Sequence, residues 1–271
     1  MTTKIEWCQE TWNPITGCTP ISEGCQHCYA KRMSNRLAGR YGYPKDDPFR
    51  VTFHPDRLQK PGRWKKPRQI FVCSMGDLFH DDVKFNDQYK IFEMMGIYNQ
   101  HTYIVLTKRA ANMRAVMPDI WFHLGRNYPD IEFPLKNVIG MVTAENQAMA
   151  DKRVPDLLNT PFTVRGISVE PMLGPVDPWM PEKRKGWVTN VPGKGIDWVI
   201  CGGESGPGAR PMHPEWARSL RDQCHGANIP FFFKQWGEFI SAKGFQVIRV
   251  GKKKAGRLLD GRTWDEYPAI K

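Results

Sequence analysis

Residues 69–80 read Gln-Ile-Phe-Val-Cys-Ser-Met-Gly-Asp-Leu-Phe-His, an apolar β-forming run that stops at a small polar loop with glycine at its corner. A helix is expected beyond it, around Asn86–Asn99. The same grammar recurs in both directions. Thr102–Leu106 leads into Thr-Lys-Arg and a helix from about Ala110. Val138–Val142 leads into Thr-Ala-Glu-Asn, where Asn146 suits the N-cap of a helix reaching about Leu158. Phe162–Val169 leads into Glu-Pro-Met-Leu-Gly. Trp198–Cys201 leads into Gly-Gly-Glu-Ser-Gly, with a helix from about Pro214 to His225, and Pro230–Lys234 closes the series. Upstream, Trp12–Ile15 is expected as the first strand and Tyr29–Leu37 as its helix.

Strands that alternate with helices, each mostly apolar, indicate a parallel sheet covered by helices. Seven such units over about 225 residues predict an α/β fold, a full or partial (β/α) TIM-like barrel rather than an open sheet. Residues 1–240 are assigned to the barrel, with a basic insert at about 41–68 and a basic C-terminal extension at 241–271. In a barrel the loops at the C-terminal strand ends build the active site. The polar groups named above all fall there.

Hydrophobic residues make up 41% of the 271, which excludes wholesale disorder. The longest apolar runs, such as Ile229–Phe233, are too short to cross a bilayer. The N-terminal residues lack the apolar stretch of a signal peptide, so a cytoplasmic protein is expected. The net charge of +11 is unevenly spread. Lys31–Arg68 carries twelve Lys/Arg against three acids, and 241–271 carries eight against three. The first segment also holds Tyr41, Tyr43, Phe49, Phe53 and Trp64. Basic side chains interleaved with aromatics suit a phosphate backbone with stackable bases; a solvated basic face is the plainer account. Lys65, Lys66 and Arg68 are the candidate backbone contacts, with DNA as the expected partner.

Of the seven cysteines, Cys18, Cys25 and Cys28 lie within eleven residues. Cys73, Cys201 and Cys224 suit buried apolar positions. Three thiols leave one iron of a 4Fe–4S cube open to an outside ligand. The rival is a structural zinc site completed by Cys8 or a histidine, although the six-residue first gap fits zinc knuckles poorly.

The order of the elements, with Cys18 and Cys25-x2-Cys28 between the first strand and first helix, resembles the radical SAM superfamily. The usual first gap there is three residues; here it is six. More closely, Trp-Asn-Pro-Ile-Thr-Gly-Cys (12–18), Ser-Met-Gly-Asp-Leu-Phe-His (74–80), Ser-Val-Glu-Pro-Met-Leu-Gly (168–174), Gly-Gly-Glu-Ser-Gly-Pro (202–207), Phe-Lys-Gln-Trp-Gly (233–237) and 251–261 resemble a family of bacterial and phage proteins commonly labelled by phage gene-product numbers.

The resemblance implies that Cys18, Cys25 and Cys28 hold a 4Fe–4S cluster. It implies S-adenosylmethionine as cofactor, a 5′-deoxyadenosyl radical, and an external one-electron reductant. His27 would stand beside the adenine. Ser74, Gly76 and Asp77 would meet the methionyl amino group, though they also read as an ordinary turn. Thr143, Glu145 and Asn146 would meet the ribose, with Ser168 and Glu170 at the following strand end. Glu204, Lys234, Gln235 and Trp236 are candidates for the substrate side, and Lys108 and Arg109 for phosphate or base. His80 and His213 rank low.

The expected reaction is modification or isomerisation of a hypermodified pyrimidine in phage DNA. The rivals are photolesion repair, a radical enzyme acting on a peptide, and a non-catalytic zinc-stabilised nucleic-acid-binding module.

Overall fold

The structure, a computed structural model, describes residues 3, 5–178, 195–241 and 247–270. In chain order its strands are β1 (Glu10–Trp12), β2 (Ile15–Thr16), β3 (Thr52–Phe53), β4 (Gln69–Val72), β5 (Thr102–Thr107), β6 (Val138–Thr143), β7 (Val164–Val169), β8 (Trp198–Gly202), β9 (Phe231–Gln235), β10 (Phe239–Ser241) and β11 (Val247–Arg249). Its α-helices are α1 (Tyr29–Arg36), α2 (Phe85–Ile97), α3 (Ala110–Asn127), α4 (Gln147–Leu158), α5 (Pro214–Gly226) and α6 (Lys252–Ala255). Seven strands form one parallel sheet in the order β1-β4-β5-β6-β7-β8-β9, curled into half a barrel. This is the partial form of the expected architecture.

The expected first strand is split. Glu10–Trp12 pairs with β4 in parallel, whereas Ile15–Thr16 leaves the sheet and pairs antiparallel with β3. The break falls at Asn13-Pro14, since proline has no N–H to continue a ladder.

Alternation along each strand sorts side chains to two faces. Tyr103, Val105, Val138, Val142, Ile167, Val199, Phe231 and Phe233 pack with the apolar sides of the helices in the main core. On the concave face Ile104 pairs with Ile139 and then Val164, and Leu106 pairs with Met141, then Gly166, then Trp198. Gly166 is required here, because a Cβ would stand 2.7 Å from Met141 Cε and 3.2 Å from the Trp198 carbonyl oxygen.

A complete barrel fills its interior with side chains from all its strands. Here the concave face is filled from outside the sheet. Trp7 and Cys8 join Ile104, Ile139, Met141, Trp198 and Phe232 in a second buried cluster. The Trp7 ring lies 4.7 Å from Phe71 and 6.3 Å from Trp198.

The insert and the tail cover the sheet's two edges. At β1, Lys60 Nζ donates to the Thr11 carbonyl at 2.8 Å and Trp12 Nε1 donates to the Arg57 carbonyl at 2.8 Å. Trp64 and Phe53 lean on the main core. At β9, Phe233 N–H donates to the Trp264 carbonyl at 2.9 Å, Phe231 N–H to Glu266 Oε2 at 2.9 Å, and Phe232 bridges Asp265 antiparallel. Leu259 and Trp264 belong to the main core. Residues 257–267 of the expected C-terminal extension thus pack against β9 and the main core. Residues 242–246 and 271 of the expected extension lie outside the described residues.

Trp7→Ala should destabilise the protein by about 3–5 kcal/mol, the cost of truncating a large buried aromatic. Denaturant unfolding measures it, and a loss below about 1 kcal/mol would show that the concave face does not depend on this plug.

Candidate functional site

One cavity of about 270 Å³ opens at the C-terminal ends of the strands. It is lined by Cys18, Cys25, Cys28 and His27, by Ser74, Gly76 and Asp77, by Lys108 and Arg109, and by Thr143, Glu170 and Glu204. Residues from six separate stretches, all chosen from the sequence, thus share one cavity. Phe71, Leu106, Ile21 and Tyr29 add apolar surface.

The three cysteines sit on the segment between β2 and α1 and are half-buried free thiols. Several contacts fix that segment. Gly17 bridges Gly76 in parallel and donates its N–H to the Met75 carbonyl at 2.9 Å. Gly17 has φ +88°, and a Cβ on Gly76 would stand 2.8 Å from the Gly17 carbonyl oxygen, so both positions need glycine. Arg109, buried at the end of β5, donates from Nη1 to Cys18 Sγ at 3.2 Å and from Nη2 to Thr19 Oγ1 at 2.8 Å. His80 Nε2 lies 2.8 Å from the same Thr19 hydroxyl.

From the other side, Arg210 donates twice to Glu204, at 2.9 Å from both Nε and Nη2, and reaches the Glu23 carbonyl at 3.0 Å. His27 Nδ1 stands 3.2 Å from Glu204 Oε2, an electrostatic contact without hydrogen-bond alignment.

Several of the expected cofactor contacts are bonded to other parts of the protein. Asp77 lines the cavity, but Oδ1 accepts from Thr107 Oγ1 at 2.7 Å and from Phe79 N–H at 3.0 Å, and Arg109 stands 3.5 Å from Oδ2. Ser74 Oγ donates to Asn13 Oδ1 at 3.1 Å, tying its turn to the segment before the cysteines. Glu145 is fully buried and outside the cavity lining, with Oε2 accepting from Arg153 Nη1 at 2.7 Å. Burial would raise its pKa, yet the Lys108 and Arg153 charges hold it below the usual carboxylate range. It lies directly beneath the cysteine segment, where a Cβ on Gly24 would meet Oε1 at 2.9 Å. Asn146 is the N-cap of α4, its Oδ1 accepting from Met149 N–H at 3.0 Å, while its Nδ2 donates to Glu23. Ser168 is buried and outside the lining.

On the substrate side, Lys234 Nζ donates to Glu170 Oε1 at 2.6 Å. Gln235 is buried, and Trp236 Nε1 donates to the Leu258 carbonyl at 2.8 Å. His213 caps α5. Lys65, Lys66 and Arg68 precede β4, at the end of the sheet opposite the cavity. The structure does not bring them to the site. Tyr43 and Phe49 are buried and Trp64 packs on the core, so Tyr41 (76%) is the exposed aromatic of this region, with Tyr29 (56%) exposed just before it.

Arg210, Arg153, Thr19 and Asn13 are site-supporting residues that sequence reasoning missed. Asn13, Thr19 and Arg210 act on segments distant in sequence, while Arg153 reaches back eight residues from α4 to Glu145.

Among the described residues no three His, Cys, Asp or Glu side chains converge on a single metal ion. Cys8, the rival fourth ligand, is buried on the concave floor away from the cavity, and burial pushes its thiol up to about 12. Burial also raises Cys18, to about 11, with the Asp77 charge adding to it and Arg109 opposing. For Cys25, hydrogen bonding from Ile21, the Lys108 charge and Ser22 outweigh burial and bring the thiol below its ordinary value.

Arg153→Ala should cost about 3–5 kcal/mol in a denaturant titration, because it strands a buried carboxylate at Glu145. The double change Arg153→Met with Glu145→Gln should recover most of it. A single-variant loss under about 1 kcal/mol would show that the pair is dispensable.

No curated protein and no solved structure matches the chain. A family model described as "Protein of unknown function (DUF5131)" matches residues 2–268. A match over nearly the whole length means that the chain belongs to the DUF5131 family.

Proposed function

We propose that this protein is a radical S-adenosylmethionine enzyme that modifies or isomerises a pyrimidine base in DNA. The supporting observation is the opening of Cys18, Cys25 and Cys28 into one cavity at the mouth of a parallel half-barrel, shared with polar groups from five strand ends. The donor set fits a 4Fe–4S cluster: it is all thiol, and a cube holds its ligands farther apart than a single ion does. All three thiols line the same cavity.

When bound, the cluster and S-adenosylmethionine supply a carbon-centred radical that abstracts an unactivated hydrogen, at the expense of one electron from an external reductant. The chain's own part is to bind, orient and exclude water. Arg109 and the Glu204–Arg210 pair hold the cysteine segment from opposite sides. The Thr143 and Glu204 side chains, with the backbone of the Ser74–Asp77 turn, offer polar groups to the cofactor's amine and hydroxyls. Phe71 and Leu106 keep one wall dry.

The DNA reading draws on the cavity lip. Tyr29 lines the cavity while more than half exposed, and Lys31, Arg36 and Arg40 follow it on the exposed surface of α1 and the turn beyond. From the tail, Arg249 Nη2 donates to the Gly206 carbonyl at 3.0 Å, beside Glu204. Cations around an aromatic lip suit a phosphate backbone that presents an unpaired base.

After anaerobic reconstitution the protein should hold about four irons per chain, and form 5′-deoxyadenosine from S-adenosylmethionine once reduced. Cys18→Ala, Cys25→Ala or Cys28→Ala should abolish the cluster's paramagnetic signal, and Cys8→Ala should not. An intact reducible cluster that yields no 5′-deoxyadenosine with DNA present would overturn the reading.

Charge reversal at Lys31, Arg36 and Arg40 should weaken binding of single-stranded DNA and flatten its salt dependence by about 0.7 per lost phosphate contact on a log–log plot. The same change at Lys65, Lys66 and Arg68 should do less. The reverse ranking would place the DNA on the opposite end of the sheet.

A further inference from the structure

Of the three carboxylates lining the cavity, two are occupied by the protein. Asp77 serves Thr107, Phe79 and Arg109, and Glu204 serves Arg210. Glu170 differs. Its Oε1 accepts from Lys234, and among the described residues Oε2 has no hydrogen-bond partner. Glu170 follows β7, and Lys234 projects from β9 beside it. The two side chains meet across Gly202, where a Cβ would stand 3.3 Å from Glu170 Cδ and 3.4 Å from Lys234 Cβ. Glycine at that place lets the pair close.

Lys234 is absent from the cavity lining, so it acts as a positioning residue. It fixes one oxygen of Glu170 and leaves the other facing open volume. That second oxygen, in a side chain that lines the cavity, can accept a charge-assisted hydrogen bond from a ligand N–H.

We propose that Glu170 is the substrate anchor, accepting a hydrogen bond from the ring N3–H of an unpaired, thymine-type pyrimidine. The proposal rests on the reading that the cavity takes a base from DNA. The charges around the cavity select the donor. Lys108 and Arg109 line it and Arg32 stands at its lip, donating from Nη2 to the Ser205 carbonyl at 3.3 Å. A cationic amine is repelled by these groups, and an anionic group is repelled by Glu170 itself. A neutral ring N–H carried on a phosphate backbone satisfies both ends. In a duplex that N–H is paired, so the anchor reaches only a base already turned out of the stack. The sequence-based assignment of Glu170 to the cofactor changes accordingly. Lys234 holds it at the β7–β9 side of the sheet, whereas Cys18 is held by Arg109 at the end of β5.

The test compares binding of thymidine 5′-monophosphate and its N3-methyl derivative to the full chain by calorimetry. The unmethylated nucleotide should bind at least about tenfold tighter, the range of a charge-assisted hydrogen bond. Glu170→Ala should erase that preference, and Lys234→Met should reduce it while Lys234→Arg retains it. Comparing the two nucleotides on the unchanged protein needs no variant, so a misfolded substitution does not block the answer. Equal binding of the two nucleotides would overturn the anchor while leaving a base-binding cavity. Binding of neither, with uptake of a lysine-containing peptide instead, would overturn both the anchor and the DNA reading. The radical chemistry is judged separately, by 5′-deoxyadenosine formation.

Discussion

An open parallel sheet that curls without closing leaves two unpaired edges and an unfilled concave face, and most of this chain's departures from a plain barrel answer that constraint. Unpaired strand edges expose donors and acceptors that invite pairing with other chains. The 52–64 segment covers β1, with Lys60 taking the outward Thr11 carbonyl. The 257–267 segment covers β9 through Trp264 and Asp265. Trp7 and Cys8 supply, from before the first strand, the interior side chains that a closed barrel would draw from its missing strands. The plug leaves the upper part of the concave face open, and the cavity lies there.

The cavity's lining mixes apolar and charged groups. Apolar residues of β4 and β5 reach the lining as Phe71 and Leu106, whereas β7 and β8 end beside Glu170 and Glu204. The ends of β4 and β5 also bring Asp77, Lys108 and Arg109, so charges of both signs share the lining. In such a low-dielectric setting a charge without a partner is costly. Arg109, Arg153, Lys234 and Arg210 each meet a carboxylate for that reason.

Those pairs also immobilise the cysteine segment. It has only one short 3-10 turn of its own, Glu23–Cys25, to order it. Its position is set instead by Gly17 against Gly76, by Arg109 on Cys18 and Thr19, and by Arg210 on Glu23. Thiols on a segment anchored from three directions keep their relative places, which a site must do to hold a cofactor in one orientation.

The sequence by itself determined the elements and their kind. Apolar runs ending in polar loops are local patterns, so the strands from Gln69 to Gln235, the helices between them, the Asn146 cap and the grouping of strand-end residues at one mouth were all legible. Only the tertiary structure decided what each polar side chain does there. Asp77 and Glu145 were read as cofactor contacts, and the fold gives Asp77 Oδ1 to Thr107 and Glu145 Oε2 to Arg153. Tyr43 and Trp64 were read as stacking surface, but folding buries or packs them and leaves Tyr29 and Tyr41 exposed. Lys65, Lys66 and Arg68 belong to a basic stretch in the chain yet fall at the wrong end of the sheet, because a segment entering β4 begins opposite the rim where β4 finishes. Hydrophobic period and turn chemistry act between near neighbours. Which donor meets which acceptor depends on groups tens of residues apart, and their distances exist only once the sheet has curled.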